Sequence, residues 1–140
     1  MLLQAKCKYV INIIGRNHLE LDIKGVCMKQ KTKTYFKGLF EYLKGKKDVT
    51  INSNDNSIPY IINFSVQNRK SNDLQKILND SEIYVSTKTS CCPIETPSKL
   101  VYAVTKNKGL ASSSIRLSLS HLTTNVEIDK FIEVMNNIIG

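Results

Sequence analysis

The sequence has 140 residues, of which 41% are hydrophobic, and this length and composition suit one domain with one core. No apolar run approaches the roughly 20 residues of a membrane span, and no signal peptide is recognisable, so we expect a cytoplasmic protein. The formal net charge is +8, but the lysines are dispersed without a nucleic-acid-binding motif, and we interpret them as solvated surface residues.

Helices are predicted for the first part of the chain. Residues 3–14 suit a short helix, and residues 19–44 suit a long one whose second half has one apolar face. Gly45 and the lysines after it are typical of a helix end. The apolar face carries Phe36, Leu39, Phe40 and Leu43.

Short strands are predicted next. Residues 49–52 alternate in polarity, and residues 59–66 are rich in β-branched and aromatic residues after an initial proline, so both ranges favour strands. Residues 52–57 between them are mostly Asn, Asp and Ser, whose side chains hydrogen-bond their own backbone. This range therefore predicts a loop.

A helix and another strand follow. Residues 72–79 predict a short helix with Ser71 or Asn72 as its N-cap. Residues 82–87 predict a strand that leads into a small polar loop.

The last third of the chain alternates helix, strand and helix. Pro97 is placed at the start of a helix over 98–105. Residues 114–120 alternate cleanly, which places Arg116 on the polar side of a strand. Thr124 and Glu127 have the spacing of a capping box at the start of a helix over 125–138. This helix is expected to bury Ile128, Phe131, Ile132, Met135 and Ile139.

This order of elements favours an α/β or α+β fold in which helices cover a small sheet. The residues alone do not give the direction of the strands.

The four cysteines are the chemically distinctive residues. Cys7 and Cys27 lie among apolar residues and are interpreted as buried thiols. Cys91 and Cys92 are adjacent and follow the polar run S-T-K-T-S. Because there is no C-x-x-C and the two histidines lack zinc-ligand spacing, we predict no metal site, and no disulfide framework is expected in a cytoplasmic chain.

The residues leave the role of the adjacent pair open between a functional thiol and a loop cysteine without function. A strand, a polar loop, a cysteine and a helix in this order can expose a thiol. Lys88 and the helix that starts near Ser98 can both stabilise a thiolate.

Three stretches resemble motifs of the cysteine desulfurases. The stretch V-S-T-K-T-S-C (85–91) resembles their active-site cysteine loop, which is usually close to S-S/T-x-S-A-C. The stretch S-S-S-I-R-L-S-L-S-H-L-T-T-N-V-E-I-D (112–129) resembles the motif that follows that loop, and P-Y-I-I-N-F-S-V (59–66) is similar to the central strand of their small domain. The order and separations fit over residues 49–139. Cysteine desulfurases are class V aminotransferases and use pyridoxal phosphate (PLP).

The resemblance implies roles for two residues. Cys91 matches the nucleophile, whose thiolate in such enzymes attacks the sulfur of PLP-bound L-cysteine, releases alanine and keeps a persulfide. Arg116 matches the arginine that grips the substrate's α-carboxylate, for which its planar fork is suited. A surface or ion-paired arginine is the alternative for Arg116.

The chain departs from the pattern on both sides of Cys91. Ser90 stands where alanine is usual, and Cys92 stands where serine or threonine is common. Cys92 is either an accessory thiol that resolves a persulfide or a simple substitution, and we favour the substitution. The stretch from Cys91 to Pro97 is short, which limits the reach of Cys91.

The family's PLP lysine, in the pattern S/T-x-H-K-x-x-G-P-x-G, has no counterpart here. The resemblance therefore implies the small C-terminal domain of a fold type I PLP enzyme, with a mostly antiparallel sheet. Residues 46–140 are expected to form that domain, and residues 1–45 the end of the large domain and the linking helix. PLP would then be bound by a missing large domain or a homodimer partner, and we expect none on this chain alone.

Three functions follow as expectations. The first is a C-terminal domain or truncated form of a cysteine desulfurase, inactive alone, that passes sulfur to an acceptor protein for iron–sulfur clusters or thiolation. The second is a non-enzymatic sulfur carrier that accepts a persulfide on Cys91. The third, least favoured, is a basic nucleic-acid-binding domain.

Overall fold

The structure, a computed structural model, describes residues 23–54, 56–87 and 96–139. The helix predicted at 3–14 lies outside these residues, as do the first residues of the helix predicted at 19–44. In chain order the helices and strands are α1 (Ile23–Lys44), β1 (Val49–Ile51), β2 (Ile61–Val66), α2 (Ser71–Asp80), α3 (Lys99–Thr105), α4 (Lys108–Ser113), β3 (Ser114–Ser118) and α5 (Asn125–Ile139).

The strands β1, β2 and β3 form one antiparallel sheet in that order, which confirms the predicted fold class of a small antiparallel sheet with helices. In the register, Thr50 lies opposite Ser65, and Asn63 lies opposite Arg116. Residues directly opposite each other share a face of an antiparallel sheet, so one face is largely polar. Ile61, opposite Ser118, lies on the same face, and we call the polar residues of this face the polar face: Thr50, Asn52, Asn63, Ser65, Ser114, Arg116 and Ser118.

The other face of the sheet forms the core. Phe64 of β2 is fully buried and meets Phe131 of α5 edge-on, with the ring centroids 6.4 Å apart. Complete burial of a side chain of this size stabilises a fold by about 1.5–3 kcal/mol. The predicted apolar residues of α1 join the same core, as do Leu74 and Leu78 of α2.

Helices α3 and α4 lie on the polar side of the sheet. The Ser65 hydroxyl donates to the Leu110 carbonyl of α4 (2.8 Å), and the Ser98 amide donates to the Ala111 carbonyl (2.9 Å). The sequence analysis missed α4, a six-residue helix whose N-cap, Asn107, accepts a bond from the Leu110 amide. Its shortness and its Gly109 gave no periodic signal.

The capping box predicted for the last helix is confirmed. Glu127 Oε2 accepts from the Thr124 amide (2.8 Å), and Thr124 Oγ1 accepts from the Glu127 amide (3.4 Å). Phe131 and Met135 are buried as predicted, while Ile128, Ile132 and Ile139 are only partly buried. Val134 is a buried residue of this helix that the sequence analysis missed.

The N-cap predicted for α2 is wrong. The helix is capped by Lys70, which has extended backbone angles and makes no side-chain capping bond. The Leu74 amide donates to the Lys70 carbonyl, so the helical bonding starts one residue earlier than predicted, and Ser71 is already helical.

The strand predicted at 82–87 is reduced to isolated bridge positions at Ile83 and Ser86, and Ser86 pairs with Arg116. The first residues of that range instead form the C-terminal end of α2. Glu82 has a φ of 61° and donates to the Asn79 carbonyl, while the Ile83 amide donates to the Leu78 carbonyl. These are the two bonds of a Schellman motif, in which glycine is the usual residue at the Glu82 position.

None of the helices in the described ranges is long and apolar enough to cross a membrane.

We predict that Glu82→Gly stabilises the protein by about 1 kcal/mol, because glycine adopts the left-handed conformation without the Cβ clash. The urea midpoint should rise by about 0.5 M. Glu82→Ala is the control, since it removes the same carboxylate but keeps Cβ. A glycine variant no more stable than the alanine variant would contradict the prediction.

We predict that Thr124→Ala lowers the free energy of unfolding by about 1 kcal/mol, because the Thr124 hydroxyl accepts from the Glu127 amide and donates to Glu127 Oε2, and both bonds are lost. Urea unfolding followed by circular dichroism measures the change. Thr124→Ser keeps the hydroxyl and should restore most of the loss; equal losses in both variants would show that the methyl group, rather than the cap, matters.

Candidate functional site

Arg116 lies in the middle of β3, with a neighbouring segment on each side. On one side it lies opposite Asn63 of β2, in a pair whose backbone groups do not bond each other. On the other side its amide donates to the Ser86 carbonyl (2.7 Å), and its carbonyl accepts from the Ser86 amide (3.1 Å). The backbone of Arg116 is therefore fixed between β2 and the segment that leads towards Cys91.

The guanidinium of Arg116 has an unsatisfied donor. Its Nε is buried and has no hydrogen-bond partner. A buried donor without an acceptor costs about 1–3 kcal/mol, and the group cannot lose its charge. The polar face itself offers only hydroxyl and amide side chains and no carboxylate. This arrangement suits an anionic acceptor from outside the described residues.

The structure does not describe Cys91 and Cys92; Lys88 and Ser90 likewise lie outside the described residues. The covalent chain nevertheless limits the distance of Cys91 from the site. Cys91 follows Ser86 by five residues, and five extended residues span at most about 18 Å.

The far side of the cysteine segment is also attached near β3. The Ser98 amide donates to the Ala111 carbonyl, and the Ser98 hydroxyl accepts from the Val101 amide (3.4 Å) as the N-cap of α3. Ala111 lies in α4, which runs directly into β3. Both described flanks of the cysteine segment are thus bonded to the stretch of chain that carries Arg116.

A network of hydrogen bonds crosses the polar face next to Arg116, and it was not predicted from the sequence. The Ser65 hydroxyl donates to the Leu110 carbonyl, and Asn52 Nδ2 donates to both Ser65 Oγ and Asn63 Oδ1, each at 2.8 Å. Asn52 Oδ1 is buried without a partner. The sequence feature that could have indicated this network is the polar pair Asn63 and Ser65, two residues apart in a predicted strand.

Other places in the described ranges offer less chemistry. No three His, Cys, Asp or Glu side chains there come together as metal ligands. Burial raises the pKa of the Tyr42 phenol, but this group lies on α1 and donates to Asn136 Oδ1 (2.7 Å). A groove of about 650 Å³ between α1 and the β1–β2 loop is lined by Lys33, Lys37 and Pro59 among others, and Arg116 is not part of it.

Comparison with known protein families identifies one match. The family described as aminotransferase class-V matches residues 17–131, which is most of the chain and includes Arg116 and both adjacent cysteines.

Individual relatives are cysteine desulfurases. The chain is 38% identical over 87 residues to the cysteine desulfurase IscS of Pseudoalteromonas translucida, covering 61% of this chain and 21% of that protein. It is 32% identical over 103 residues to IscS of Photorhabdus laumondii, covering 73% of this chain and 25% of that protein. The chain thus spans about a quarter of the length of these relatives.

Solved structures agree in fold. The NifS-like protein from Rickettsia africae superposes with a TM-score of 0.66 and 27% identity, covering 79% of this chain and 28% of that one. A phosphoserine aminotransferase from Cytophaga hutchinsonii shares the fold at 13% identity, with a TM-score of 0.54. The family match, the relatives and the shared fold together show that the chain belongs to the class V aminotransferases and is a cysteine desulfurase-like domain of that family.

Proposed function

We propose that this chain is the C-terminal domain or a truncated form of a cysteine desulfurase. Cys91 accepts the sulfur of L-cysteine, and Arg116 binds the substrate's α-carboxylate. The observation that supports this proposal best is the buried, unpartnered Nε of Arg116 on a face without carboxylates, bonded through its backbone to the segment that leads to Cys91.

Arg116 suits carboxylate binding for a physical reason. A guanidinium presents its donors in a plane that matches the two oxygens of a carboxylate, and hydrogen bonds between charged groups are the stronger kind. The backbone of Arg116 is held by two hydrogen bonds to Ser86 and by its place in β3 opposite Asn63, so only the side chain has to adjust. A carboxylate bound here would satisfy the donor that the described residues leave without a partner.

Cys91 supplies the group that receives the sulfur. The overall transfer converts the Cys91 thiol and L-cysteine into a Cys91 persulfide and L-alanine, with every atom accounted for. The thiolate is the reactive form of the cysteine, and a nearby cation, such as Lys88 three residues earlier in the sequence, would favour it. Cys92 has no role in this proposal.

The cofactor of the family does not fit this chain by itself. PLP needs a lysine for its Schiff base and a partner for its ring nitrogen, and the polar face contains neither lysine nor aspartate. We therefore propose that PLP is held by a large domain or a homodimer partner. Residues 1–45 would link to that part, and residues 46–140 would form the small domain.

The persulfide on Cys91 would pass its sulfur to an acceptor protein, in the cytoplasm, for iron–sulfur clusters or thiolation.

The absence of a PLP lysine on the polar face also favours a second candidate. As a sulfur carrier, the chain would accept a persulfide from a separate enzyme on Cys91 and would need no cofactor.

We predict that the chain alone, supplied with PLP, L-cysteine and a thiol reductant, releases no sulfide and retains no PLP absorbance after gel filtration. The reason is that the sequence has no counterpart of the family's PLP-binding lysine motif. Sulfide release that disappears in Cys91→Ala would contradict this, because the chain would then build a PLP site of its own.

The site assignment is tested in a chimera. The part of the chain that matches over 103 residues replaces its counterpart in the Photorhabdus laumondii IscS, so that the PLP-binding part is supplied. Cys91→Ala should abolish sulfide release, whereas Cys92→Ala should leave it unchanged. Arg116→Ala should raise KM for L-cysteine about 100-fold, since it removes charged hydrogen bonds to the carboxylate.

Two outcomes of the chimera experiment would separate the candidates. Activity that survives Cys91→Ala would overturn the nucleophile assignment. An inactive chimera, combined with one added sulfur at Cys91 when the chain is mixed with intact IscS and L-cysteine, would favour the sulfur carrier.

A further inference from the structure

We infer that Asn63 is a second binding residue of the carboxylate site, and that its side-chain NH2 group donates to the same carboxylate as Arg116. This inference rests on the proposed role of Arg116 and adds a neighbour that determines how well a carboxylate is distinguished from other anions.

In the hydrogen-bond network across the polar face, the orientation of each side-chain amide is fixed by which atoms can donate and which can accept. The Leu110 carbonyl can only accept, so the Ser65 hydroxyl donates to it and is left to accept from its other neighbour. Asn52 must therefore present its Nδ2 to Ser65 Oγ. The same Nδ2 donates its second hydrogen towards Asn63, which must present its Oδ1.

The result is a free donor on Asn63. The amide oxygen and nitrogen diverge from one carbon, so with Oδ1 bonded towards β1 the Nδ2 is turned away from β1, on the side where β3 lies. Among the residues that the structure describes, Asn63 Nδ2 has no hydrogen-bond partner. Flipping the amide would place two donors, Asn52 Nδ2 and Asn63 Nδ2, against each other.

Arg116 lies directly across from this donor. The two residues are cross-strand partners on the same face, and such partners have Cβ atoms about 4.5–5.5 Å apart. Arg116 Nε is the second donor without a partner. Two neighbouring donors, one charged and one neutral, match the two oxygens of a planar carboxylate, whereas a spherical anion needs only the charge.

Asn63 is also held rigidly enough to act in this way. Its amide donates to Ser53 Oγ (2.7 Å), and its carbonyl accepts from the amides of Asn52 (2.8 Å) and Ser53 (3.2 Å). With the side-chain oxygen bonded to Asn52 as well, the NH2 group needs little reordering to bind a ligand.

The test uses the whole 140-residue chain labelled with ¹⁵N. Sodium acetate and sodium chloride are titrated separately, and the dissociation constants are obtained from the Arg116 Nε–H resonance, assigned by its loss in Arg116→Lys. Asn63→Ala should weaken acetate binding about tenfold, the loss of one hydrogen bond to a charged group, and change chloride binding less than about twofold. Ser118→Ala, which alters another residue of the polar face, should change neither.

Each possible result of these titrations either supports or contradicts the inference. Equal weakening of acetate and chloride in Asn63→Ala would show a merely structural role and overturn the inference, as would no change in either. An Arg116 resonance that does not respond to acetate in the wild type would overturn the proposed role of Arg116 itself, and the inference with it.

A second readout does not depend on how the variant folds. In the wild type, the Asn63 side-chain NH2 resonances should shift with acetate along the same binding curve as Arg116 Nε–H. If the NH2 resonances do not shift while the Arg116 resonance does, the inference is overturned and the proposed role of Arg116 is unaffected.

Discussion

The register between β2 and β3 determines both the core and the candidate site. Because side chains alternate along a strand, a one-residue slip of β3 against β2 would turn Ile115 out of the core and bury Arg116 in it. Burial of the apolar face by α1, α2 and α5 makes that slip very costly. The free energy that holds the core together therefore also places Arg116 on the opposite face, next to Asn63 and Ser86.

The sequence predicted the elements in which local pattern and tertiary packing agree. The apolar face of α1, the alternation of β3 and the capping box of α5 each need only neighbouring residues to be recognised. The prediction failed where bonds between distant residues decide. Composition predicts a strand over residues 82–87, yet Glu82 and Ile83 end α2 in a Schellman motif, in which Ile83 is buried with Leu78 in the core.

The same contrast holds for the site. The contiguous family motif around Arg116 singles it out as a candidate, and its role stays a prediction. The hydrogen-bond network from Leu110 through Ser65 and Asn52 to Asn63 joins residues up to 58 positions apart, and no local sequence pattern indicates it. The sequence showed that Asn63 and Ser65 share one side of a strand, but only the register with β1 and β3 shows what they face.

The pairing of Ser86 with Arg116 can also be expressed as a local concentration. A thiol tethered five residues beyond Ser86 stays within about 18 Å of it, and one molecule in a sphere of that radius corresponds to a concentration on the order of tens of millimolar. A ligand bound at Arg116 would therefore meet Cys91 at that concentration whatever path the intervening residues take. Two backbone hydrogen bonds would thus supply much of the encounter between the thiol and a bound ligand before any closer positioning occurs.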